Sequence, residues 1–278
     1  MAEALDYCAA AVRRADYDRY LAALFAPAAA RERLFALYAF NQEVAKVRET
    51  VSEPMLGQIR LQWWREAIEG IYAGTPRRHA VVEALHAAVA AASPAREDFE
   101  ALIDAREFDL AGRAPETLAA LEAYGEATAS RLLYIAAAML GADSAATRAA
   151  LRPLGIAWAL TGLARAIPFH ARARRQYIPA DIAAAAGLTE AALFALKPVE
   201  PLRRAVAALA AAAERHLAAA RAGAVEPAGR SLMLFAPLAR AYLRRLAARR
   251  YEVMERPIEI SPAAKILRLW WAARTGRA

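Results

Sequence analysis

Two stretches of the chain contain polar residues whose types and spacing could do chemistry. One covers residues 36–49 and the other residues 159–179. An arginine guanidinium can hold a phosphate through two parallel hydrogen bonds, so Arg165 with Glu43 and Tyr177 could line an anion pocket. The alternative is a buried pair of Arg165 and Glu43 with only a structural role. The candidate ligand-binding residues of the two stretches are Tyr38, Glu43, Glu49, Arg165 and Tyr177.

The histidines and the cysteine give a weaker chemical signal. His170 could act as a general base, but it precedes the arginines of residues 172–175 and is also typical of a surface histidine in a basic turn. The four histidines show no zinc-ligand spacing, so no metal site is predicted. The single cysteine, Cys8, excludes an intramolecular disulfide.

These residues must be positioned by helices, because apolar residues recur at helical spacing along almost the whole chain. Ser93 before Pro94 is interpreted as the N-cap of one helix, and another begins at Pro54 and ends before Gly74. No Ser/Gly-rich linker divides the chain, which predicts an all-α fold with a single domain over residues 1–278. The other predicted helices cover residues 28–51, 115–141, 145–172, 199–221, 229–255 and 261–274.

The formal net charge of +8 is compatible with an anionic partner, although a basic solvated surface explains it equally well. No zinc-finger spacing, RNP-like aromatic motif or helix-turn-helix indicates a nucleic-acid partner. No run approaches the roughly 20 apolar residues that a membrane span needs. The N-terminus lacks the basic start and apolar core of a secretory signal, so the predicted location is cytoplasmic.

The last predicted helix combines tryptophans with basic residues. Leu267, Trp270 and Trp271 alternate with Arg268 and other cations. This pattern is typical of helices that lie on anionic membranes, and it predicts a peripheral position on an anionic membrane surface. The alternative is a final helix that packs its tryptophans on the core.

The chain resembles squalene and phytoene synthases over nearly its whole length. Within that family it is most similar to the branch of the mitochondrial NADH dehydrogenase (complex I) assembly factor and its bacterial relatives. The family resemblance implies an isoprenoid-synthase-type helical bundle around a central cavity. It is carried by residues 13–21, 37–40, 61–68, 102–110 and 177–188, and the branch by residues 39–45, 51–54, 129–134 and 165–170.

In that family two aspartate-rich helices hold Mg²⁺ against a substrate diphosphate. The resemblance places Ala45, Lys46 and Glu49 at the first set of these positions, and Ala166 and His170 at the second. Mg²⁺ prefers oxygen ligands, and only Glu49 offers a carboxylate. The resemblance therefore implies that both motifs are lost and that the chain has no catalytic residue, no metal ligand and no cofactor. Only an active prenyl transferase would need Mg²⁺.

The same resemblance implies an altered pocket. Ser130 and Leu133 stand where the enzymes have small residues and glycines that let an isoprenoid chain pass. A leucine side chain fills on the order of 100 Å³ of a tightly packed interior. We therefore expect a narrowed cavity that accepts a smaller ligand.

Three functions follow as hypotheses. The first is a non-catalytic protein that contacts a protein partner, a nascent complex I subunit, during assembly or maturation of respiratory complex I. The second is a head-to-head prenyl transferase of the squalene or phytoene type that uses prenyl diphosphates. The third is a carrier that binds an isoprenoid or another lipid in the cavity without converting it.

Overall fold

The computed structural model describes residues 2–51 and 53–276, and within them the chain forms helices and turns without a β-strand. The all-α class is therefore confirmed, while the assignment of residues 1–278 to one domain stays a prediction. The α-helices are α1 (Ala2–Ala15), α2 (Tyr17–Leu24), α3 (Ala28–Ala45), α4 (Val47–Thr50), α5 (Pro54–Tyr72), α6 (Ala80–Ala92), α7 (Arg96–Ala105), α8 (Glu107–Ala111), α9 (Leu118–Gly125), α10 (Arg131–Met139), α11 (Ala145–Arg172), α12 (Ala180–Ala186), α13 (Glu190–Phe194), α14 (Glu200–Arg221), α15 (Phe235–Ala248) and α16 (Pro262–Thr275).

The longest of these helices, α11, runs for 28 residues and packs along α14 on one side and against α9 and α10 on another. Its start is fixed by Ser144, whose hydroxyl accepts a hydrogen bond from the Thr147 backbone N–H at 3.2 Å. Such an N-cap satisfies one of the backbone donors that a helix start leaves open. The helix continues through Pro153 and Pro168, and its bounds agree with the predicted range of residues 145–172.

The predicted helix over residues 28–51 is divided at Lys46, where α3 ends and α4 begins. Val51 then adopts an extended backbone and closes α4. As a result, Arg48 and Glu49 of the short α4 line an interior cavity that residues of α11 also line.

The helix expected over residues 115–141 is also not uniform. It begins at Leu118 after the N-cap Thr117, and α9 and α10 are joined by a π-helical turn over Glu126–Ser130. A π-helical turn contains one extra residue per turn and is frequent at functional sites. Thr128 within this turn lines the same cavity.

The prediction that Ser93 caps the start of a helix is wrong. Ser93 instead ends α6 in a left-handed conformation with φ of 46°, and its backbone N–H donates to the carbonyl of Val89 at 2.8 Å. The next helix begins only at Arg96. The carbonyl of Pro94 between the two helices accepts a hydrogen bond from the Tyr72 hydroxyl at 2.6 Å.

The C-terminal helix α16 docks on the bundle through small and aliphatic residues rather than through tryptophan. Leu269 and Ala272 are buried against α2 and α15, and Lys265 forms a 2.6 Å ion pair with Asp18. The interpretation in which the tryptophans of this helix pack on the core is therefore wrong. The exposed large apolar side chains of α16 are Ile266, Leu267, Trp270 and Trp271.

Most buried apolar side chains from α1 to α15 belong to one contiguous core. Alanine contributes many of them, which lets neighbouring helices approach closely. Among the described residues, none of the helices combines the length and the apolarity needed to cross a bilayer.

Candidate functional site

A cavity of about 370 Å³ lies among α3, α4, α9, the π-helical turn and α11. Residues of α4 and of the C-terminal half of α11 both line it. Its polar lining consists of Arg19, Asn41, Arg48, Glu49, Arg106, Asp109, Tyr124, Thr128, His170, Arg175 and Tyr177. Its remaining lining consists of Ala45, Ala129, Trp158, Ala159, Gly162, Leu163 and Ala166.

The two stretches singled out in the sequence meet at this cavity. Ala45 and Glu49 line it from α3 and α4, and Ala166 and His170 line it from α11. Four of the five positions at which the resemblance expected metal ligands therefore line one cavity, whereas Lys46 does not. Of these four residues only Glu49 has a carboxylate.

One wall of the cavity is a closed hydrogen-bond network around Asp109. The Tyr177 hydroxyl donates to Asp109 Oδ1 at 2.7 Å, and the Tyr124 hydroxyl donates to the same oxygen at 2.8 Å. Arg106 donates to the Tyr124 hydroxyl at 2.9 Å and approaches Asp109 Oδ2 at 3.4 Å. Burial and then the Asp109 charge raise the pKa of Tyr177, so its hydroxyl keeps its proton and acts as a donor.

A second part of the lining, called the second wall, consists of Arg48 and Glu49 of α4 and Arg175 after α11, and it contains charged groups without protein partners. Arg48 and Arg175 make no side-chain hydrogen bond and no ion pair with any described residue. Nε of Arg48 is fully buried and unpartnered. The guanidinium of Arg175 lies 5.9 Å from the centre of the Phe169 ring. The carboxylate of Glu49 on this wall is exposed.

His170 also lines the cavity. Its ring packs on Tyr177 with a centroid distance of 4.6 Å, and its Nδ1 is buried without a partner. Burial, and then the neighbouring charge of Arg175, lower the pKa of His170 to about 4. The interpretation of His170 as a surface histidine is therefore wrong, because the end of α11 turns its ring inward.

Two of the five candidate ligand-binding residues, Glu49 and Tyr177, line the cavity. Their role in binding a ligand stays a prediction. The structure does not bring Tyr38, Glu43 and Arg165 to the cavity wall.

Each of these three residues has a different environment. Tyr38 is buried in the core beneath Arg19, and burial raises its pKa. Glu43 forms a partly exposed pair with Lys46 at 3.5 Å. Arg165 donates to the carbonyl of Ile258 at 3.0 Å, and its guanidinium lies 3.4 Å from the centre of the Tyr242 ring. The suggested pair of Arg165 with Glu43 is not formed.

Ser130 and Leu133, which were expected to narrow the cavity, do not line it, and the narrowing stays a prediction. Both are buried in helix packing, and the Ser130 hydroxyl donates to the carbonyl of Arg152 at 2.7 Å. Ser130 sits so close to α11 that a methyl group added to Gly155 would lie 2.4 Å from its Cα. The π-helical turn instead brings Thr128 to the cavity.

Sequence reasoning missed the residues that give the cavity its charge. Arg106 and Asp109 are three residues apart in the segment 102–110, which carries the family resemblance, but they were not singled out. Arg48 directly precedes Glu49 and had no distinguishing pattern. A signal was available for Arg106 and Asp109, because a basic and an acidic residue at this spacing meet on one helix face.

Residues 12–265 match the model of the squalene/phytoene synthase family. The chain belongs to the squalene/phytoene synthase family. A crystal structure of a dehydrosqualene synthase with a ligand superposes with a TM-score of 0.85 at 18% identity, over 99% of this chain and 96% of that one. At this identity the likeness shows the fold, and it confirms the isoprenoid-synthase-type helical bundle.

Curated relatives give a second view of the chain. The human "NADH dehydrogenase (ubiquinone) complex I, assembly factor 6" is 33% identical over 77% of this chain. The match covers 65% of that relative, so the chain spans about two thirds of its length. The phytoene synthase of Rhodobacter capsulatus is 28% identical over 72% of this chain and 59% of its own length. The predicted similarity to the assembly-factor branch is therefore confirmed.

The fold family implies Mg²⁺, and the cavity residues do not fit it. Magnesium needs near-octahedral oxygen coordination with carboxylates. The wall offers Glu49 and Asp109, and both oxygens of Asp109 already face donors from Tyr124, Tyr177 and Arg106. No group of three or more metal-ligating side chains occurs among residues 2–51 and 53–276.

Proposed function

We propose that this protein acts without catalysis in the assembly or maturation of respiratory complex I, by contacting a protein subunit of that complex. The observation that carries this proposal is the 33% identity with the human complex I assembly factor 6 over 77% of the chain. The phytoene synthase match has lower identity, so the prenyl-transferase alternative fits only loosely.

The lining of the cavity supports a non-catalytic role. Ionisation of a prenyl diphosphate requires metal charge to stabilise the leaving diphosphate. Ala45 and Ala166 provide no ligand atoms, and neither His170 nor Arg48 replaces an oxygen ligand. A wall with this composition favours binding over turnover.

We further propose that the protein works at an anionic membrane surface through one face of α16. Leu267 is 65% exposed and Trp271 is 59% exposed, beside a shallow groove bordered by Arg240, Arg244 and Arg268. Aromatic side chains enter the interfacial region of a bilayer while neighbouring arginines meet anionic headgroups. The same arrangement leaves other faces of the bundle available to a protein partner.

Deletion of the gene tests the assembly role. The expected result is lower complex I abundance on native gels and lower NADH:ubiquinone oxidoreductase activity, both restored by the wild-type gene. Normal abundance and activity in the deletion strain would contradict the proposal.

Sedimentation with vesicles tests the membrane surface. The double variant Trp270→Ala/Trp271→Ala should lose binding to phosphatidylglycerol vesicles, while neutral vesicles bind neither protein. A matched control is Tyr7→Ala, which removes an aromatic ring that is 50% exposed on α1. Equal sedimentation of all three proteins would exclude this face of α16.

Incubation of the purified protein with Mg²⁺ and farnesyl or geranylgeranyl diphosphate tests the alternative. We expect no release of diphosphate. Release at a rate proportional to protein concentration would establish a prenyl transferase and end the non-catalytic proposal.

A further inference from the structure

A second cavity lies where α16 ends. It has a volume of about 630 Å³ and is formed by the residue after α2, the end of α14 with the loop that follows it, the 3₁₀-helical turn Pro227–Leu234 and the last turn of α16. No residue lines both this cavity and the central one. It is therefore a separate space in the fold, and we call it the α16 cavity.

The charged side chains of the α16 cavity have one sign. Arg221, Arg230 and Arg274 line it, and the described residues of its lining include no carboxylate. All three arginines are exposed, so the cavity opens to solvent. Within residues 2–51 and 53–276 none of them forms an ion pair or a side-chain hydrogen bond. Positive charges without a counter-charge repel one another, and an anion bound between them would remove that repulsion.

Further arginines border the α16 cavity. Arg221 also lines a groove between α14 and α15, together with Arg240 and Arg244. Burial, and then the positive charges of Arg221 and Arg244, lower the pKa of Arg240. Glu214 is the one carboxylate of this groove, and it forms no ion pair with a described residue. Positive charge is therefore in excess at this end of the bundle, which favours an anionic partner.

A buried hydroxyl in the wall of the α16 cavity has no partner. Ser231 follows Arg230 on the 3₁₀-helical turn, and its Oγ is buried without a hydrogen bond. Native proteins leave few buried polar atoms unpaired, because an unmade hydrogen bond is costly. Since Ser231 and Arg230 both line the cavity, a phosphate bound there can accept hydrogen bonds from both side chains.

The rest of the α16 cavity is mainly apolar. Phe25, Met233 and Leu234 contribute large side chains, and Val225 lies in the loop after α14. A free phosphate gains nothing from such a surface, whereas the glycerol and the first acyl carbons of a lipid gain from being removed from water. Sites for small molecules commonly measure about 300–1,000 Å³, so a cavity of about 630 Å³ accepts a headgroup and the start of its chains.

The α16 cavity lies next to the tryptophans that are proposed to contact a membrane. Trp270 and Trp271 directly precede the residues of α16 that line the cavity. Arg274 connects the two features, because it lines the cavity and its guanidinium lies 5.7 Å from the centre of the Trp270 ring. A lipid whose headgroup enters the cavity therefore keeps its chains near the tryptophans.

We propose that the α16 cavity binds the headgroup of an anionic phospholipid. Arg221, Arg230 and Arg274 hold the phosphate oxygens through charge-assisted hydrogen bonds, for which the planar guanidinium fork is well matched. The Ser231 hydroxyl donates to the same phosphate, and the acyl end of the lipid lies against Phe25. This inference rests on the proposed membrane surface of α16 and names the class of lipid that the surface selects.

Calorimetry with short-chain lipids below their critical micelle concentrations tests the site on the full-length protein without a membrane. Dihexanoyl phosphatidylglycerol should bind. Dihexanoyl phosphatidylcholine should bind at least about tenfold more weakly, because its choline brings a positive charge to the arginines. Glycerophosphoglycerol has the same headgroup without acyl chains and should also bind at least about tenfold more weakly. Equal affinity for the choline lipid would overturn the arginine site, and equal affinity for glycerophosphoglycerol would overturn the assignment to a lipid.

Substitution of the arginines tests their role. Arg221→Gln and Arg230→Gln should each weaken binding of dihexanoyl phosphatidylglycerol about tenfold, as expected for the loss of a charged hydrogen bond. The matched control is Arg78→Gln, an exposed arginine between α5 and α6 that lines neither cavity. It has the same change of charge and should alter the affinity less than about twofold. Equal weakening by Arg78→Gln would mean that only net charge matters, and it would overturn the site.

Substitution of Ser231 separates lipid binding from folding. Its hydroxyl has no hydrogen-bond partner in the protein, so Ser231→Ala should not lower the urea midpoint of unfolding. The same variant should bind dihexanoyl phosphatidylglycerol about three- to tenfold more weakly, because one hydrogen bond to the phosphate is lost. Unchanged affinity, or a loss of stability, would contradict the role of this hydroxyl.

Sedimentation with phosphatidylglycerol vesicles distinguishes the α16 cavity from the membrane surface as a whole. A wild-type protein that sediments with the vesicles but binds no short-chain lipid would overturn the cavity site and leave the membrane surface standing. Binding of the short-chain lipid without sedimentation would support the cavity site and contradict the membrane surface.

Discussion

Both walls of the central cavity contain charged side chains, but only those of the first wall have protein partners. On one wall Asp109 accepts from Tyr124 and Tyr177 and faces Arg106, so that its charge and hydrogen-bonding capacity are matched by the protein itself. On the other wall Arg48 and Arg175 have no such acceptor among the described residues. The difference indicates that the first wall stabilises the fold and the second is available to a ligand.

A polar side chain in the cavity can be held by hydrogen bonds within the protein or can be free to bind a ligand. Tyr177 is part of the family resemblance, and in this structure its hydroxyl is occupied by a structural hydrogen bond to Asp109. Arg48 carries no part of that resemblance by itself, yet its side chain is unsatisfied. The family resemblance therefore predicts where the cavity lies, whereas the hydrogen bonds of each side chain show which groups have no partner.

Replacement of Asp109 is expected to have the largest effect. Asp109→Ala removes the acceptor of two tyrosine hydroxyls and the counter-charge of Arg106, and of their hydrogen bonds only that from Arg106 to the Tyr124 hydroxyl remains. We expect the free energy of unfolding to fall by about 3–5 kcal/mol, as for other broken buried pairs. Urea unfolding measures the change.

The matched control is a substitution of Glu49 on the second wall. Glu49→Ala removes an exposed carboxylate and should change the free energy of unfolding by no more than about 0.5 kcal/mol. If both alanine variants lost similar stability, the two walls would not differ as described.

The pH dependence of stability should report on His170. Its pKa is about 4 in the folded protein, below its ordinary value of 6.5. As the pH falls below 6.5 the unfolded chain takes up a proton that the folded protein does not, so stability decreases on acidification. Between pH 7 and pH 4 the wild type should lose about 3 kcal/mol more than His170→Gln, in which this group is absent.

Unfolding in urea at several pH values measures this difference, and carboxylates common to both proteins cancel in the comparison. The separation at pH 7 reports only the change in packing on Tyr177. Parallel stability curves from pH 7 to pH 4 would show that His170 titrates normally.

Removal of a single hydrogen bond on the first wall should have a smaller effect. Tyr177→Phe deletes a donor to the charged Asp109 while the Tyr124 bond remains. The expected loss is about 1.5–3 kcal/mol of the free energy of unfolding. Tyr7→Phe is the control, because its ring is 50% exposed, and it should unfold like the wild type. A neutral Tyr177→Phe variant would mean that Asp109 is satisfied without it.

The sequence predicted the helices and the cavity better than the orientation of individual side chains. Helical periodicity located α11 and α16 within one residue of their observed ends. The turn of α4 at Lys46 and the π-helical turn have no comparable local signal, because each depends on packing between distant helices. Arg48 and Glu49 lie on α4 beyond the turn at Lys46, which is why the position of Arg48 at the cavity was missed.

The predicted pair of Arg165 with Glu43 was wrong because it also depends on how helices pack. Arg165 was expected to line an anion pocket with Glu43 and Tyr177, but it lies against Tyr242 of α15 and the carbonyl of Ile258. Only the rotation of α11 in the bundle decides between these two positions. A single sequence constrains that rotation weakly, because alanine occupies so many of its positions.

The smallest expected effect concerns the one carboxylate on the free wall. Glu49→Gln removes a negative charge from the cavity, and the free energy of unfolding should change by no more than about 0.5 kcal/mol. Calorimetry with Mg²⁺ should detect no binding of the ion to either protein. If Glu49 were instead the remnant of a working metal site, the wild type would bind Mg²⁺ and Glu49→Gln would lose that binding. The comparison of these two proteins therefore distinguishes a site that has lost its metal from a weakened magnesium site.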